Sequence, residues 1–284
     1  MQKIFVIIIY IFSYMPFVIL RLISLKIRIF NKLFFRYRYQ VVLTNLRLAF
    51  PDKKEVEIRK IRRQFYRYFF NLIIQIIKSL TVKKSFIDKR VEILNPEVID
   101  NLLLNYPSVI LLSGHYNNWE WMGAKISLSY NQPFVAVYKK LSSPSFNKLI
   151  SQARGRFGST LINMDESIRY IIKHKDKSKI IGMIADQNPI VNESTSWLPF
   201  FEKEVPVFIG AEQIAKKLGY PVLFCNMKKT GNNNYSITFE IISEDSNNMK
   251  EGEITKTYFN LLEEQIKNEP SQWLWSHRRW KHRK

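Results

Sequence analysis

The stretch that decides the fold runs Ser108-Val109-Ile110-Leu111-Leu112-Ser113-Gly114-His115-Tyr116-Asn117-Asn118-Trp119-Glu120. Its opening is a short apolar run, which predicts a strand over 108–112. Gly114 permits a tight turn, Asn117 or Asn118 can cap a following helix, and Glu120 falls in that helix's first turn. Strand, polar loop and helix in that order form the repeating unit of an α/β domain. A histidine on such a loop and a carboxylate one turn later can fold back on each other. Glu120 would then accept from one imidazole nitrogen while the other faces a substrate, giving a base oriented by an acid that needs no serine nucleophile when the substrate brings its own hydroxyl. The structural alternative is equally simple: a loop histidine, and an acid that merely favours a helix N-terminus.

Outward from this unit the same texture recurs. Apolar runs predict strands over 134–138, 179–185, 222–226 and 235–242, and helices are expected near 119–130, 144–156, 165–175, 210–218 and 252–267. The last but one of these helices ends at Gly219, in the place of a C-terminal cap. The fold class read from this is α/β, a mixed central sheet flanked by helices, with one catalytic domain over 41–284. Residues 41–80 read as helices, with Val56, Ile61, Phe65, Tyr68, Leu72 and Ile76 near one face, for core packing or contact with lipid.

Residues 4–20 form an uncharged apolar run at the lower limit for a spanning helix. No acidic residue precedes Asp52, and Arg21, Lys26, Arg28, Lys32, Arg36 and Arg38 follow the run. This predicts a membrane anchor and basic amphipathic segment over 1–40, spanning or lying in the interface, with the catalytic portion cytoplasmic. A buried core helix is the alternative. A cleavable signal peptide fits poorly, since only Lys3 precedes the run and no A-x-A site follows.

The 284-residue chain carries 44 Lys and Arg against 24 Asp and Glu, a formal +20 that favours anionic partners: nucleic acid, anionic lipid or an acidic carrier protein. The C-terminal WLWSHRRWKHRK interleaves aromatics with bases as nucleic-acid binders do. Beside a helix, in a chain with a basic amphipathic start, it reads better as a headgroup site at an anionic membrane, with Arg278, Arg279 and Lys281 on phosphates, and nucleic acid is not expected. The single cysteine, Cys225, lies inside an apolar strand and excludes an internal disulfide or a thiolate-ligated metal. The four histidines show no metal-ligand spacing; His277 reads as structural, and His174 as part of a solvated loop. Neither metal nor cofactor is expected.

The His115/Glu120 spacing resembles the H-x4-D/E motif of the lipid A late acyltransferases, within the lysophospholipid acyltransferase-like superfamily. Further blocks carry the resemblance in order: Asn45 to Pro51, Arg154-Gly155-Arg156-Phe157-Gly158, Asp186-Gln187-Asn188-Pro189, Pro199-Phe200-Phe201, and Trp273 to Lys281. The resemblance implies transfer of a fatty acyl chain from acyl carrier protein to a hydroxyl of a lipid A precursor, at the cytoplasmic face of the inner membrane and without an acyl-enzyme. His115 would be the base and Glu120 its orienting acid. Arg154 or Arg156 would stabilise the oxyanion, with Asn118 among the substrate-binding groups and Asp186 positioning that arginine or a backbone turn. Since the dyad is blind to the acceptor, a glycerophospholipid or aminolipid acyltransferase is the alternative, and a non-catalytic basic membrane-binding protein a more distant one.

Overall fold

In the computed structural model, which describes residues 2–282, the apolar N-terminal run is two helices. These are α1 (Gln2–Tyr14) and α2 (Phe17–Phe30), parted at Pro16, whose ring and missing N–H interrupt a helix. At about 1.5 Å per residue each is roughly 20 Å long, against a bilayer core of about 30 Å. Among the described residues no helix is long and apolar enough to cross a membrane. A π-helical turn (Asn31–Phe35) leads to α3 (Tyr39–Ala49), α4 (Glu55–Lys78) and α5 (Lys84–Asp88).

The apolar face of α4 packs inward through Ile58, Ile61, Phe65, Tyr68 and Leu72, while Val56, which at 100° per residue falls on the side opposite Phe65 and Leu72, is exposed. Both N-terminal helices lie along α4: Ser24 Oγ donates to Asn71 Oδ1 at 3.2 Å, and Lys78 Nζ donates to the carbonyls of Ser13 and Met15 at 2.8 Å. Their outward faces leave Phe5, Val18 and Leu22 exposed, and Phe34 and Phe35 of the π-helical turn are exposed beside them in the chain.

The remainder is layered. In chain order come β1 (Val91–Ile93), α6 (Glu97–Asn105), β2 (Ser108–Ser113), α7 (Trp119–Ser129), β3 (Phe134–Tyr138), α8 (Pro144–Gly155), β4 (Thr160–Asn163), α9 (Met164–Lys173) and β5 (Lys179–Ile184). Then follow β6 (Ser196–Phe200), β7 (Lys203–Val207), α10 (Gly210–Leu218), β8 (Val222–Gly231), β9 (Asn234–Ser243) and α11 (Glu253–Asn268). The main sheet has the order β1-β9-β8-β2-β5-β3-β4, and β6 and β7 form a separate hairpin. β8, β2, β5, β3 and β4 run parallel, whereas β9 opposes β8 and takes β1 along its other edge. The sheet is therefore mixed and flanked by helices, as the alternating pattern predicts. Four strands had no counterpart in the sequence reading: β1 and β4 are only three and four residues long, and β6 and β7 each carry a proline, Pro199 and Pro206, which argues against a strand.

β2 is buried at every position because it has strands on both sides and helices over both faces. Val109 and Leu111 pack in one core with Trp121, Met122 and Ile126 of α7; Ile110 and Leu112 pack in the other with Phe65, Ile214, Tyr258 and Leu262. The chain leaves β2 towards α7 on the first face and leaves β5 towards α10 on the second. Diverging connections from adjacent parallel strands open a crevice at their carboxyl ends. Ser113 and Ile184 are register partners there, so His115 and Asp186, each two residues further on, meet across it.

Candidate active site

The loop after β2 is fixed from several sides. Gly114 is closely packed: a Cβ there would lie 2.5 Å from Leu262 Cδ1 and 3.3 Å from Asp186 Oδ2, so a side chain would force Leu262 to shift. Asn117 takes a positive φ of 50°, a conformation asparagine tolerates better than most residues. Tyr68 of α4 donates to the Asn117 carbonyl at 2.8 Å, and Asn117 Nδ2 donates to the Met227 carbonyl at 2.8 Å. The C-terminal segment pairs with the same loop: Asn117 N donates to the Gln272 carbonyl at 2.9 Å and Leu274 N to the His115 carbonyl at 3.0 Å. A loop held this way presents the imidazole with little freedom.

The partner of that imidazole is Asp186. His115 Nδ1 and Asp186 Oδ1 are 2.6 Å apart, the His115 backbone N–H donates to Asp186 Oδ2 at 2.8 Å, and the indole of Trp273 donates to the same oxygen at 2.7 Å. Burial alone would push this carboxyl up, but the charge of His115, its ring and backbone donors, and the Trp273 indole together hold it down at about 2. An ionised carboxylate only accepts, so Nδ1 carries a proton, and in the neutral imidazole Nε2 is the nitrogen with the lone pair. Gln187 Nε2 stands 3.4 Å from that nitrogen, and the Trp119 ring packs edge-on against the imidazole with centroids 4.9 Å apart.

Glu120 occupies a different setting. Its carboxylate takes a bidentate pair of hydrogen bonds from Arg154, Nε to Oε2 at 2.8 Å and Nη2 to Oε1 at 2.6 Å, and a third from the Trp119 indole at 3.1 Å. Burial pushes Glu120 up, but the Arg154 charge and these donors outweigh it, and His115 adds to the lowering. Burial would likewise lower Arg154, and Glu120 outweighs it, so both groups are charged. The expectation that Glu120 accepts from an imidazole nitrogen is thus corrected: the fork of Arg154 takes both oxygens, and Asp186 fills the role at His115. Asp186 positions no arginine; it does hold the turn after β2, through the His115 N–H. It holds the histidine ring as well.

His115, Glu120, Arg154 and Gln187 all line one cavity of about 850 Å³ that opens at the carboxyl ends of the strands. Arg156 lies elsewhere, donating to the carbonyls of Ser79 at 2.8 Å and Val82 at 3.2 Å, so it fastens the end of α4. Asn118 is wholly buried as the N-cap of α7, accepting from Trp121 N at 3.1 Å and donating to Gln75 Oε1 at 2.7 Å. It is a structural cap and no lining group of the cavity.

The C-terminal block departs most from its reading as a headgroup site. Trp273, Trp275 and Trp280 are buried in the core, and Arg279 has no exposed surface. The Arg279 guanidinium donates to the Pro206 carbonyl at 3.0 Å and to Asn188 Oδ1, and it lies over the rings of Phe200 and Phe259 at 5.7 and 5.4 Å. Burial lowers it to about 10, which leaves it charged at neutral pH. Arg278 and Lys281 do remain exposed. His277 is held neutral, pushed down to about 4 chiefly by burial, and its Nε2 lies 3.4 Å from the Asn188 N–H. Cys225 is buried, which pushes its thiol up. Among the described residues no cluster of three or more His, Cys, Asp or Glu side chains is placed to hold a metal ion.

A histidine held by a buried carboxylate beside an apolar cavity and a paired arginine is the setting in which the sequence blocks acquire a common meaning. The profile of the bacterial lipid A biosynthesis acyltransferase family matches residues 2–282. The chain belongs to that family. Among curated proteins of the family, it is 24% identical over 278 residues to a lipid A biosynthesis palmitoleoyltransferase of Escherichia coli (strain K12), covering 95% of this chain and 87% of the relative. A lipid A biosynthesis acyltransferase of Shigella flexneri is similar to the same extent, 24% identical over 95% of this chain and 87% of its own length. A lipid A biosynthesis lauroyltransferase of Escherichia coli (strain K12) is 23% identical over 257 residues, 88% of this chain and 81% of the relative. Family membership supports an acyltransferase.

Proposed function

We propose that the protein transfers a fatty acyl chain from acyl carrier protein to a hydroxyl of a lipid A precursor, with His115 as the general base. The observation that carries the reading is the His115–Asp186 pair, which in the neutral imidazole keeps the proton on Nδ1 and makes Nε2 the accepting nitrogen of a residue that lines the cavity. The acceptor hydroxyl gives its proton to Nε2 as its oxygen attacks the thioester carbonyl. The Asp186 carboxylate stabilises the imidazolium, and the charge of Glu120 adds to it. Arg154, kept charged by Glu120 and lining the cavity, stabilises the tetrahedral oxyanion. As the intermediate collapses, the C–S bond breaks, the new ester bond remains, and the imidazolium returns its proton to the departing sulfur. The attack is direct, so no acylated side chain forms.

The surface supports work at the inner membrane, on its cytoplasmic face. The outward sides of α1 and α2 expose large apolar residues, among them Phe5, Ile11, Val18 and Leu22, and Arg21, Lys26, Arg28 and Lys32 stand beside or just after them. Short helices with that pattern lie in the headgroup region, with the apolar side down and the bases on anionic lipid. The net charge of +20 suits an acidic carrier as well.

The test is mass analysis of lipid A from cells with and without the gene, paired with the purified protein given acyl carrier protein thioester and a lipid A precursor. One added acyl chain is expected, and His115→Ala, folded and still membrane-bound, should lose roughly 10² to 10⁴ of the transfer rate. Unchanged lipid A together with acylation of a glycerophospholipid would move the acceptor to that class. Near-normal turnover by His115→Ala would remove the base.

A further inference from the structure

Gln187 lies three residues beyond β5 and lines the cavity, with its amide nitrogen 3.4 Å from His115 Nε2. Its backbone is clamped on both sides. Asp186, before it, is fixed by the His115 and Trp273 donors. Asn188, after it, donates through Nδ2 to the Arg278 carbonyl at 2.9 Å, accepts from Arg279 Nη1 at Oδ1, and turns its N–H towards His277 Nε2 at 3.4 Å. Arg279 is in turn locked by the Pro206 carbonyl and the rings of Phe200 and Phe259. The buried C-terminal block thus holds the residues on either side of Gln187, and the amide is positioned by the fold before any substrate arrives.

Which end of that amide faces Nε2 follows from the state of the imidazole. In its neutral form Nε2 has a lone pair, and only the NH2 end of a carboxamide meets a lone pair favourably. At 3.4 Å the contact is too long for a strong hydrogen bond, so turning the amide off it costs little. A neutral donor therefore stands beside the nitrogen that the acceptor hydroxyl must approach, to within about 2.6 to 3.2 Å, to give up its proton. The carbon attacked by that hydroxyl is one bond further on, and the oxyanion grows on this carbon. Arg154 serves the oxyanion incompletely, because its Nε and Nη2 already donate to Glu120 and the Glu120 charge offsets much of its field.

We propose, building on the acyl-transfer reading above, that Gln187 is a catalytic residue of the oxyanion site and donates its amide hydrogen to the thioester carbonyl oxygen beside Arg154. The incoming hydroxyl takes the Nε2 lone pair for itself and displaces the amide. The amide then has a donor to spare for the carbonyl oxygen as that oxygen becomes anionic. Its hydrogen bond strengthens only as charge develops, which is the condition for lowering a barrier instead of merely binding a substrate. No bond to Gln187 forms or breaks, and the amide keeps both of its protons. The proton moves from the hydroxyl to Nε2 and on to the departing sulfur, as in the direct attack.

Two variants of similar size test this. Gln187→Met keeps the length of the side chain without its donor, and Gln187→Glu keeps its shape with a charge that only accepts. Both are assayed with acyl carrier protein thioester and a lipid A precursor, each at the pH plateau of its own profile. Gln187→Met should lose roughly 10² to 10³ in kcat with both KM values within about twofold, and Gln187→Glu should lose more, since a carboxylate repels the oxyanion. A residue that only shapes the cavity gives the reverse order, with Gln187→Glu the better tolerated, and that order overturns the proposal. So does near-normal kcat in folded Gln187→Met, or a loss confined to the acceptor KM, which would make Gln187 a binder of the ground state. Circular dichroism melts check the fold, and Gln187→Ala is read in the same way should Gln187→Met not fold. Wild-type protein that transfers to no lipid acceptor is a separate result, and removes the acyl-transfer reading itself.

Discussion

Two carboxylates stand on either side of His115, and their surroundings give them different work. Asp186 is reached by three donors from two chain segments, two from His115 and one from Trp273, and none of them is a permanent cation. Glu120 is reached by the fork of Arg154 and by an indole next to it in sequence. A carboxylate whose nearest partner can gain and lose a proton takes part in the proton's movement. One whose partner is a guanidinium is already neutralised, and its work is to keep that guanidinium charged and in place. Proximity in sequence favours Glu120 as the partner of His115, and the fold supplies Asp186 instead, 71 residues away along the chain.

The sharpest way to break the comparison is to neutralise each carboxylate in turn. Asp186→Asn keeps the volume but turns an acceptor-only group into one that can donate, favouring the wrong imidazole tautomer, and is expected to lower kcat by roughly 10³ to 10⁴. Glu120→Gln should lower it less, by roughly ten- to a hundredfold, through the loss of a fixed Arg154. Steady-state kinetics on both variants reads the order, and a larger loss in Glu120→Gln would reverse the roles. The stability effects run the other way. Glu120→Gln leaves Arg154 partly buried without its partner, and is expected to cost about 3 kcal/mol in a urea melt; restoring most of that with a second change, Arg154→Met, would show the uncompensated charge to be the cause.

A smaller effect separates the two sides by pH. His277, pushed down by burial against the opposing pull of Asp186, titrates at about 4 in the fold, below the ordinary value of 6.5. Between those values the unfolded chain binds a proton that the native state refuses, so stability falls as pH drops through this window, by at most about 1.4 kcal/mol per unit. Asp186 is held at about 2, below its ordinary 3.8, so its contribution is complete above the latter and disappears as pH falls towards the former. In His277→Gln, denaturation at a series of pH values should show a flattened slope from 6.5 to 4 and an unaltered loss below it. An unchanged slope in the upper window would place the lost stability elsewhere.

The legible part of this molecule was the part with local periodicity. The runs at 108–112, 134–138, 179–185, 222–226 and 235–242 fall on β2, β3, β5, β8 and β9 of the main sheet, the last two strands extending beyond them, and the capped loop after the first carries the histidine. Short strands such as β4 gave too few residues to alternate. The C-terminal block misled because composition does not tell inside from outside: Trp273-Leu274-Trp275-Ser276-His277-Arg278-Arg279-Trp280 has the aromatics and bases of a surface for phosphates, yet three tryptophans and Arg279 are buried. The N-terminal helices, with similar ingredients, keep theirs outside. What separates them is partners. Arg279 is enclosed by two aromatic faces, with a carbonyl and an amide oxygen as acceptors and the field of Asp186 nearby. The link from Trp273 to Asp186 had no sequence signal at all, since it joins two ends of a strand-to-helix topology that only the folded chain brings together.

Asp186, and not Glu120, is the carboxylate that holds the imidazole of His115. The pH dependence of kcat/KM in the two variants tests it directly, because the acid limb reports the base in the free enzyme. Without the Asp186 charge the imidazolium loses its nearest stabiliser, so in Asp186→Asn the acid limb should move to lower pH by about one unit or more. In Glu120→Gln it should stay within a few tenths of a unit, with the rate reduced at every pH. A larger displacement of the acid limb in Glu120→Gln than in Asp186→Asn would contradict the account and restore the sequence-adjacent pair.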